Sequence, residues 1–165
     1  MGFSTDAIHA GQIPDPTTGA VITPIYQTST YAQYELGKST GFEYARTHNL
    51  TRQALEKNIA TLEKGKYGIA FASGLAATHA LMSLVKAGDH IVISNNVYGG
   101  TYRLYELNMK NYGMDYSWVD STDLKNVENA IRPNTKMIYV ETPTNPMLNL
   151  TDLKGISEIA KKNNL

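Results

Sequence analysis

From Thr51 onward, apolar and polar positions fall into two alternating rhythms. In "TRQALEKNIATLEK" the residues Leu55, Ile59 and Leu62 share one face of a surface helix, and the apolar run "YGIAFAS" reads as a strand ending at Ser73. The helical rhythm returns with Ala77, Leu81, Leu84 and Val85, the turn Ala87-Gly88-Asp89 follows, and "HIVIS" is the next strand. "NNVYGG" leads into a helix carrying Leu104 and Leu107, and Gly113 precedes the strand "DYSWV". Leu124, Val127 and Ile131 mark a helix stopped by Pro133, "KMIYVE" is a further strand, and Leu153, Ile156 and Ile159 lie on one face of the last helix. Strands alternating with helices predict parallel βα units, a three-layer α/β fold with helices on both sides of the sheet.

Residues before about His48 follow neither rhythm. They carry prolines at 14, 16 and 24, many Thr and Tyr, and no sustained helical period, which predicts an extended arm with short local structure. The expected organisation is an arm over residues 1–50 and an α/β domain over 51–165. The closing "SEIAKKNNL" stops on a helical pattern with an apolar Leu165 just begun, so the chain is expected to continue into another strand.

Composition narrows the function more by exclusion than by suggestion. The 165 residues hold 15 Lys plus Arg against 15 Asp plus Glu, so no global field draws in nucleic acid or an anionic membrane. The absence of cysteine removes disulfides and thiolate metal sites, and His9, His48, His79 and His90 form no ligand-spaced pair, so no metal site is expected. No run is long and apolar enough to span a bilayer, and the start lacks the basic region and apolar core of a signal peptide; a cytoplasmic protein with small-molecule partners is expected.

In an open parallel sheet, ligands bind beyond the carboxyl ends of the strands. "LGKST" lacks the leading glycine and following helix of a phosphate-binding P-loop, and the turn at Ser73-Gly74 has neither the repeated glycines of a dinucleotide site nor the flanks of a nucleophile elbow. Ser73-Gly74-Leu75 opens a helix with no charge in its first turn. Glycine allows close backbone approach there, and free amides with the helix dipole suit an anion such as phosphate; seen alone, the turn reads more readily as a structural cap. Tyr44 and Arg46 stand two apart on what reads as extended chain, a phenol and a guanidinium pointing the same way. Tyr98, before Gly99-Gly100, offers a ring to a planar ligand, and Arg103 lies one turn further on. In "ETPTNP", Glu141 ends a strand and two prolines stiffen a loop around Asn145, whose amide both donates and accepts hydrogen bonds.

Together, "EYARTHNLTRQALE", "AFASGLAATHA", "AGDHIVISNNVYGGTYRLY" and "YVETPTNPMLNLTDL", with an opening "DAIHAGQIPDPTTGAVITPIYQTSTY", closely resemble the Cys/Met-metabolism family of pyridoxal 5'-phosphate (PLP) enzymes, most of all its cystathionine γ-synthase and γ-lyase branch. The resemblance implies the large domain of a fold type I PLP-dependent transferase. It further implies replacement or elimination at the γ carbon of a homoserine-derived amino acid or cystathionine, with O-acetylhomoserine sulfhydrylase and methionine γ-lyase as alternatives. By the same resemblance, the Gly74 and Leu75 amides, beside Ser73, hold the cofactor phosphate. Tyr44 and Arg46 reach the phosphate in a neighbouring subunit's site, Tyr98 stacks on the pyridine ring and shuttles a proton, Asn145 lies near the ring's phenolic oxygen with Glu141 beside it, and Arg103 contacts substrate. It implies a homodimer or homotetramer. Where the family reads Tyr-Ser-Arg and then Gly-Asn-Pro-Thr-Arg, this chain has Ala45, His48 and Leu50. The lysine that holds the cofactor and the aspartate that pairs with its pyridine nitrogen lie beyond Leu165, so the chain is expected to be an amino-terminal fragment, inactive by itself. Without the resemblance, a stand-alone phosphate-binding or flavin-binding α/β module, or a degenerate dimerisation partner, also fits the residues.

Overall fold

The computed structural model describes residues 2–165, which divide into two compact units, one up to Phe71 and the other from Ala72. In the first unit, helix α1 (Phe3–His9) packs on helix α2 (Leu50–Leu62). Asn49 caps α2, its side chain accepting from the Thr51 and Arg52 amides. Leu50 is therefore the first helical residue, the position where proline is favoured because its missing amide costs nothing. Asn58 on α2 donates to the carbonyls of Asp6, Ala7 and Ala10 at the end of α1, sharing the Asp6 carbonyl with the Ala10 amide. Gly11 follows at φ +78°, and a Cβ there would meet the Ala54 carbonyl and the Asn58 amide, so only glycine lets the two segments approach this closely.

The first unit departs from the sequence expectation in three places. Helix α1 carries no readable period because Phe3 and Ile8 are both exposed; hydrogen bonds from Asn58 hold it instead of a buried face. Helix α2, expected to open the second domain, lies in the first unit. The run "YGIAFAS" pairs with no strand. Gly68 lies against the backbone of Glu56, and the Ala70 amide donates to the Glu56 carboxylate, so the segment leans on α2 with Ile69 left exposed.

The second unit is built on a parallel sheet of three strands in the order β2-β1-β3, with β1 at His90–Ser94, β2 at Asp115–Val119 and β3 at Thr135–Tyr139. All of β1 is buried, and its alternation divides the core. Ile91 and Ile93 pack with Met82, Val85, Leu104, Tyr105 and Met109 on one side of the sheet, while Val92 packs with Val127 and Ile156 on the other. Helix α3 (Gly74–Met82) and helix α4 (Gly99–Arg103) cover the first side, and α5 (Leu124–Ala130) with α6 (Leu153–Lys162) cover the second, which gives the expected three layers. Each fully buried aliphatic side chain contributes about 1.5–3 kcal/mol, so the central strand is the main source of cohesion in this unit. Helix α4 continues through a π-helical turn (Leu104–Asn108) and a 3₁₀ turn (Met109–Tyr112) to Gly113, at φ +75°. At the amino ends of the strands, His90 ties all three together through Thr135 Oγ1 at 2.8 Å and Ser117 Oγ at 3.0 Å. Because the strands are parallel, their carboxyl ends share the opposite edge, where α4 begins.

Candidate functional site

Helix α3 starts on an extended Ser73 whose hydroxyl accepts from the Ala76 amide at 3.1 Å, and the Ser73 carbonyl accepts from Ala77. Among the described residues, no acceptor lies on the amides of Gly74 and Leu75. The space a Gly74 Cβ would occupy is open, and the first turn carries no acidic residue. The serine thus caps one amide and leaves the first two aimed outward with the positive end of the helix dipole.

Those amides border a cavity of about 510 Å³ with Ser73, Gly74 and Leu75 on one wall and Tyr98, Tyr139 and Glu141 on another. Tyr98 precedes α4 and is half exposed, and its ring lies over Gly100, where a Cβ would overlap it. The Glu141 carboxylate accepts from the Tyr98 amide at 2.7 Å, from Thr101 Oγ1 at 2.8 Å and from the Tyr139 hydroxyl at 3.1 Å. Burial pushes the Tyr139 phenol above its ordinary pKa, so it stays protonated and remains a donor to that carboxylate. Thr78, buried one turn into α3, donates to the Gly74 carbonyl and stands 3.4 Å from the Tyr139 hydroxyl.

Ser73, Gly74, Leu75, Tyr98 and Glu141 therefore share one cavity. Asn145 lines a second hollow, of about 560 Å³, with Asn95, Asn96, Gly99, Asp120 and Asn149. Its loop is pinned by the buried Thr144, whose carbonyl accepts from Leu148, whose hydroxyl accepts from Asn149 and whose amide donates back to Asn149. Arg103 is exposed, lines neither cavity, and reaches back over Gly99.

Tyr44 and Arg46 belong to the first unit. Tyr44 makes an isolated bridge to Thr30, but the chain then turns, with the Thr47 and His48 amides both on the Tyr44 carbonyl. The extended geometry expected for Tyr44 to Arg46 is thus replaced by a turn, which curls the guanidinium to 4.8 Å from the centre of the Tyr44 ring. The cause is Arg52, whose guanidinium donates to the carbonyls of Ala45, Arg46 and Thr47 while pairing with Glu56 at 3.3 Å.

Sequence reasoning missed Arg52, Thr101 and Tyr139. Two signals were available: Tyr139 and Glu141 are two apart at a strand end, so they share a face, and Thr101 lies three residues after Tyr98, where a helix start draws polar partners.

Comparison with known proteins gives a consistent result. The family model described as Cys/Met metabolism PLP-dependent enzyme matches residues 4–165. A probable cystathionine gamma-synthase of Herpetosiphon aurantiacus is 51% identical over 164 residues, covering 99% of this chain and 51% of that protein. A cystathionine beta-lyase of Coxiella burnetii is also 51% identical, covering 99% of this chain and 42% of that protein. The crystal structure of cystathionine gamma-lyase from Lactobacillus plantarum complexed with L-serine superposes with a TM-score of 0.93 at 51% identity, covering 100% of this chain and 43% of that one. The chain thus spans about half or less of the length of these relatives.

Proposed function

Because the chain belongs to the Cys/Met metabolism family of PLP-dependent enzymes, we propose that it is the amino-terminal part of a transsulfuration enzyme that replaces or eliminates the substituent on the γ carbon of cystathionine or a homoserine-derived amino acid. The observation that carries this reading is the pair of unengaged amides at Gly74 and Leu75 facing the Tyr98 ring across one cavity. Two donors and a dipole suit a phosphate, an aromatic face suits a planar ring, and no side chain fills the approach at Gly74, so the residues present fit PLP. Bound there, PLP supplies an electron sink that stabilises negative charge at the substrate's α and β carbons.

The chain's own residues then have separable duties. Gly74 and Leu75 hold the phosphate through their amides, with Ser73 capping the helix behind them. Tyr98 would stack on the ring and would move a proton at its phenol oxygen, to a leaving sulfur or from an incoming thiol. From the neighbouring hollow Asn145 would offer its amide to the ring's phenolic oxygen, and Arg103, which lines neither cavity, would turn its guanidinium toward a substrate carboxylate. Tyr44 and Arg46 complete the phosphate site of a neighbouring subunit in a cytoplasmic homodimer or homotetramer. The Arg46 guanidinium packed on the Tyr44 ring makes the two a single preset donor pair.

A second reading, elimination at the β carbon, is supported by the Coxiella burnetii relative, as similar as the synthase. Products separate the readings when the full-length protein is given cystathionine: cleavage on the γ side releases cysteine, 2-oxobutanoate and ammonia, whereas cleavage on the β side releases homocysteine, pyruvate and ammonia. An acylated homoserine with cysteine yields cystathionine only from a synthase. Failure with all of these substrates would refute the transsulfuration reading.

A further inference from the structure

We infer that Glu141 is a positioning residue, which holds the amino end of α4 and thereby fixes the Tyr98 ring opposite the Gly74–Leu75 amides. The inference rests on the PLP reading for its purpose, but its geometry stands independently. Tyr98 is the residue before the first turn of α4, and the helix takes no cap from Tyr98 itself. A helix start is ordinarily closed by a side chain three residues in, reaching back to the amide of the capping residue. Here that third position is Thr101, too short to reach back, and a carboxylate from the end of β3 makes the reciprocal bond in its place. Glu141 takes the Tyr98 amide on one oxygen and the Thr101 hydroxyl, with that of Tyr139, on the other. The glutamate is itself fixed, since its amide donates to Ser94 at the end of β1.

Charge argues the same way. A carboxylate on the wall of a cavity that receives a phosphate repels it, so Glu141 is no phosphate ligand; its charge instead sits at the positive end of α4, where it is stabilising. With the backbone of Tyr98 held by Glu141 and its ring resting over Gly100, the aromatic face has its orientation set from two directions.

The test uses the full-length protein with Glu141→Gln, Tyr98→Ala and the pair combined. Gln keeps the shape of Glu141 but cannot accept from the Tyr98 amide and the two hydroxyls together. In cofactor-free protein, the amides from Tyr98 to Arg103 are expected to exchange with deuterium about ten-fold faster in Glu141→Gln, since a bond to a charged acceptor is lost, while those of β1 are unchanged. PLP affinity should fall in each single variant, and the double variant should bind no worse than Tyr98→Ala alone. Unchanged exchange at α4, or fully additive losses in the double variant, would overturn the inference, the latter because Glu141 would then touch the ligand itself. Should Glu141→Gln fail to fold, Thr101→Val removes one donor and must give the same exchange pattern more weakly; if it does not, the inference fails. Wild type that bound no PLP would refute the function proposed above, while the exchange result would still judge Glu141.

Discussion

Arg52 shows how one side chain shapes a candidate site without belonging to it. Its guanidinium gathers three carbonyls of the Ala45–Thr47 turn, so Arg52→Ala in the full-length protein should lower stability to urea by about 1–2 kcal/mol. Arg52→Lys should recover little, because a single ammonium cannot span the fork. At Gly100 the expectation is the reverse. An added Cβ meets the ring of Tyr98, a half-exposed side chain that can swing away, so Gly100→Ala should change stability by less than about 1 kcal/mol while weakening PLP binding as much as Tyr98→Ala. A urea titration and a cofactor titration check both. The sequence singles out Ser73-Gly74-Leu75 and Tyr98 because their chemistry is local, and the fold brings them to one cavity. Spacing along the chain hints at Thr101 and Tyr139, but Arg52 acts on carbonyls that are gathered only by the fold, and a pattern along the chain does not contain those partners.

Among the elements, the strands "HIVIS" and "DYSWV" coincide with β1 and β2 because each is an apolar or β-favouring run with a parallel neighbour. "YGIAFAS" has the same pattern and no neighbour, and it stays irregular; α1 has a neighbour and no pattern, and it forms. Pairing, rather than periodicity, decided both cases. The strand β1 also carries a pH dependence. Burial, reinforced by the nearby Arg132 charge, lowers the pKa of His90 below the 6.5 of a free imidazole. Below that value the unfolded chain binds a proton that folded His90 resists, so stability is complete above about pH 6.5 and is lost as pH falls toward the folded pKa. Urea midpoints of full-length protein at pH 7 and pH 5 should differ less in His90→Asn than in wild type; an unchanged difference would contradict this account of β1.

On the scale of the whole molecule, large apolar side chains stand exposed in both units, among them Ile13, Val21, Ile22 and Ile25 in the first and Leu107, Leu148, Leu150 and Leu153 in the second. Surfaces of this kind are normally covered. If the proposed assembly covers them, the full-length protein should bind far less of a hydrophobic dye than the 165-residue chain expressed alone; equal dye binding by both would contradict that proposal. No helix among the described residues is long and apolar enough to cross a membrane.

The most direct test of the PLP cradle is a spectrophotometric titration of full-length protein with PLP, comparing wild type with Gly74→Asp. A Cβ at Gly74 meets nothing within 4 Å, so the variant should fold, and its carboxylate would stand beside the amides assigned to the phosphate. Saturable binding in wild type, lost in folded Gly74→Asp, is the predicted result; equal binding by both proteins would contradict the assignment of Gly74 and Leu75 as the phosphate site.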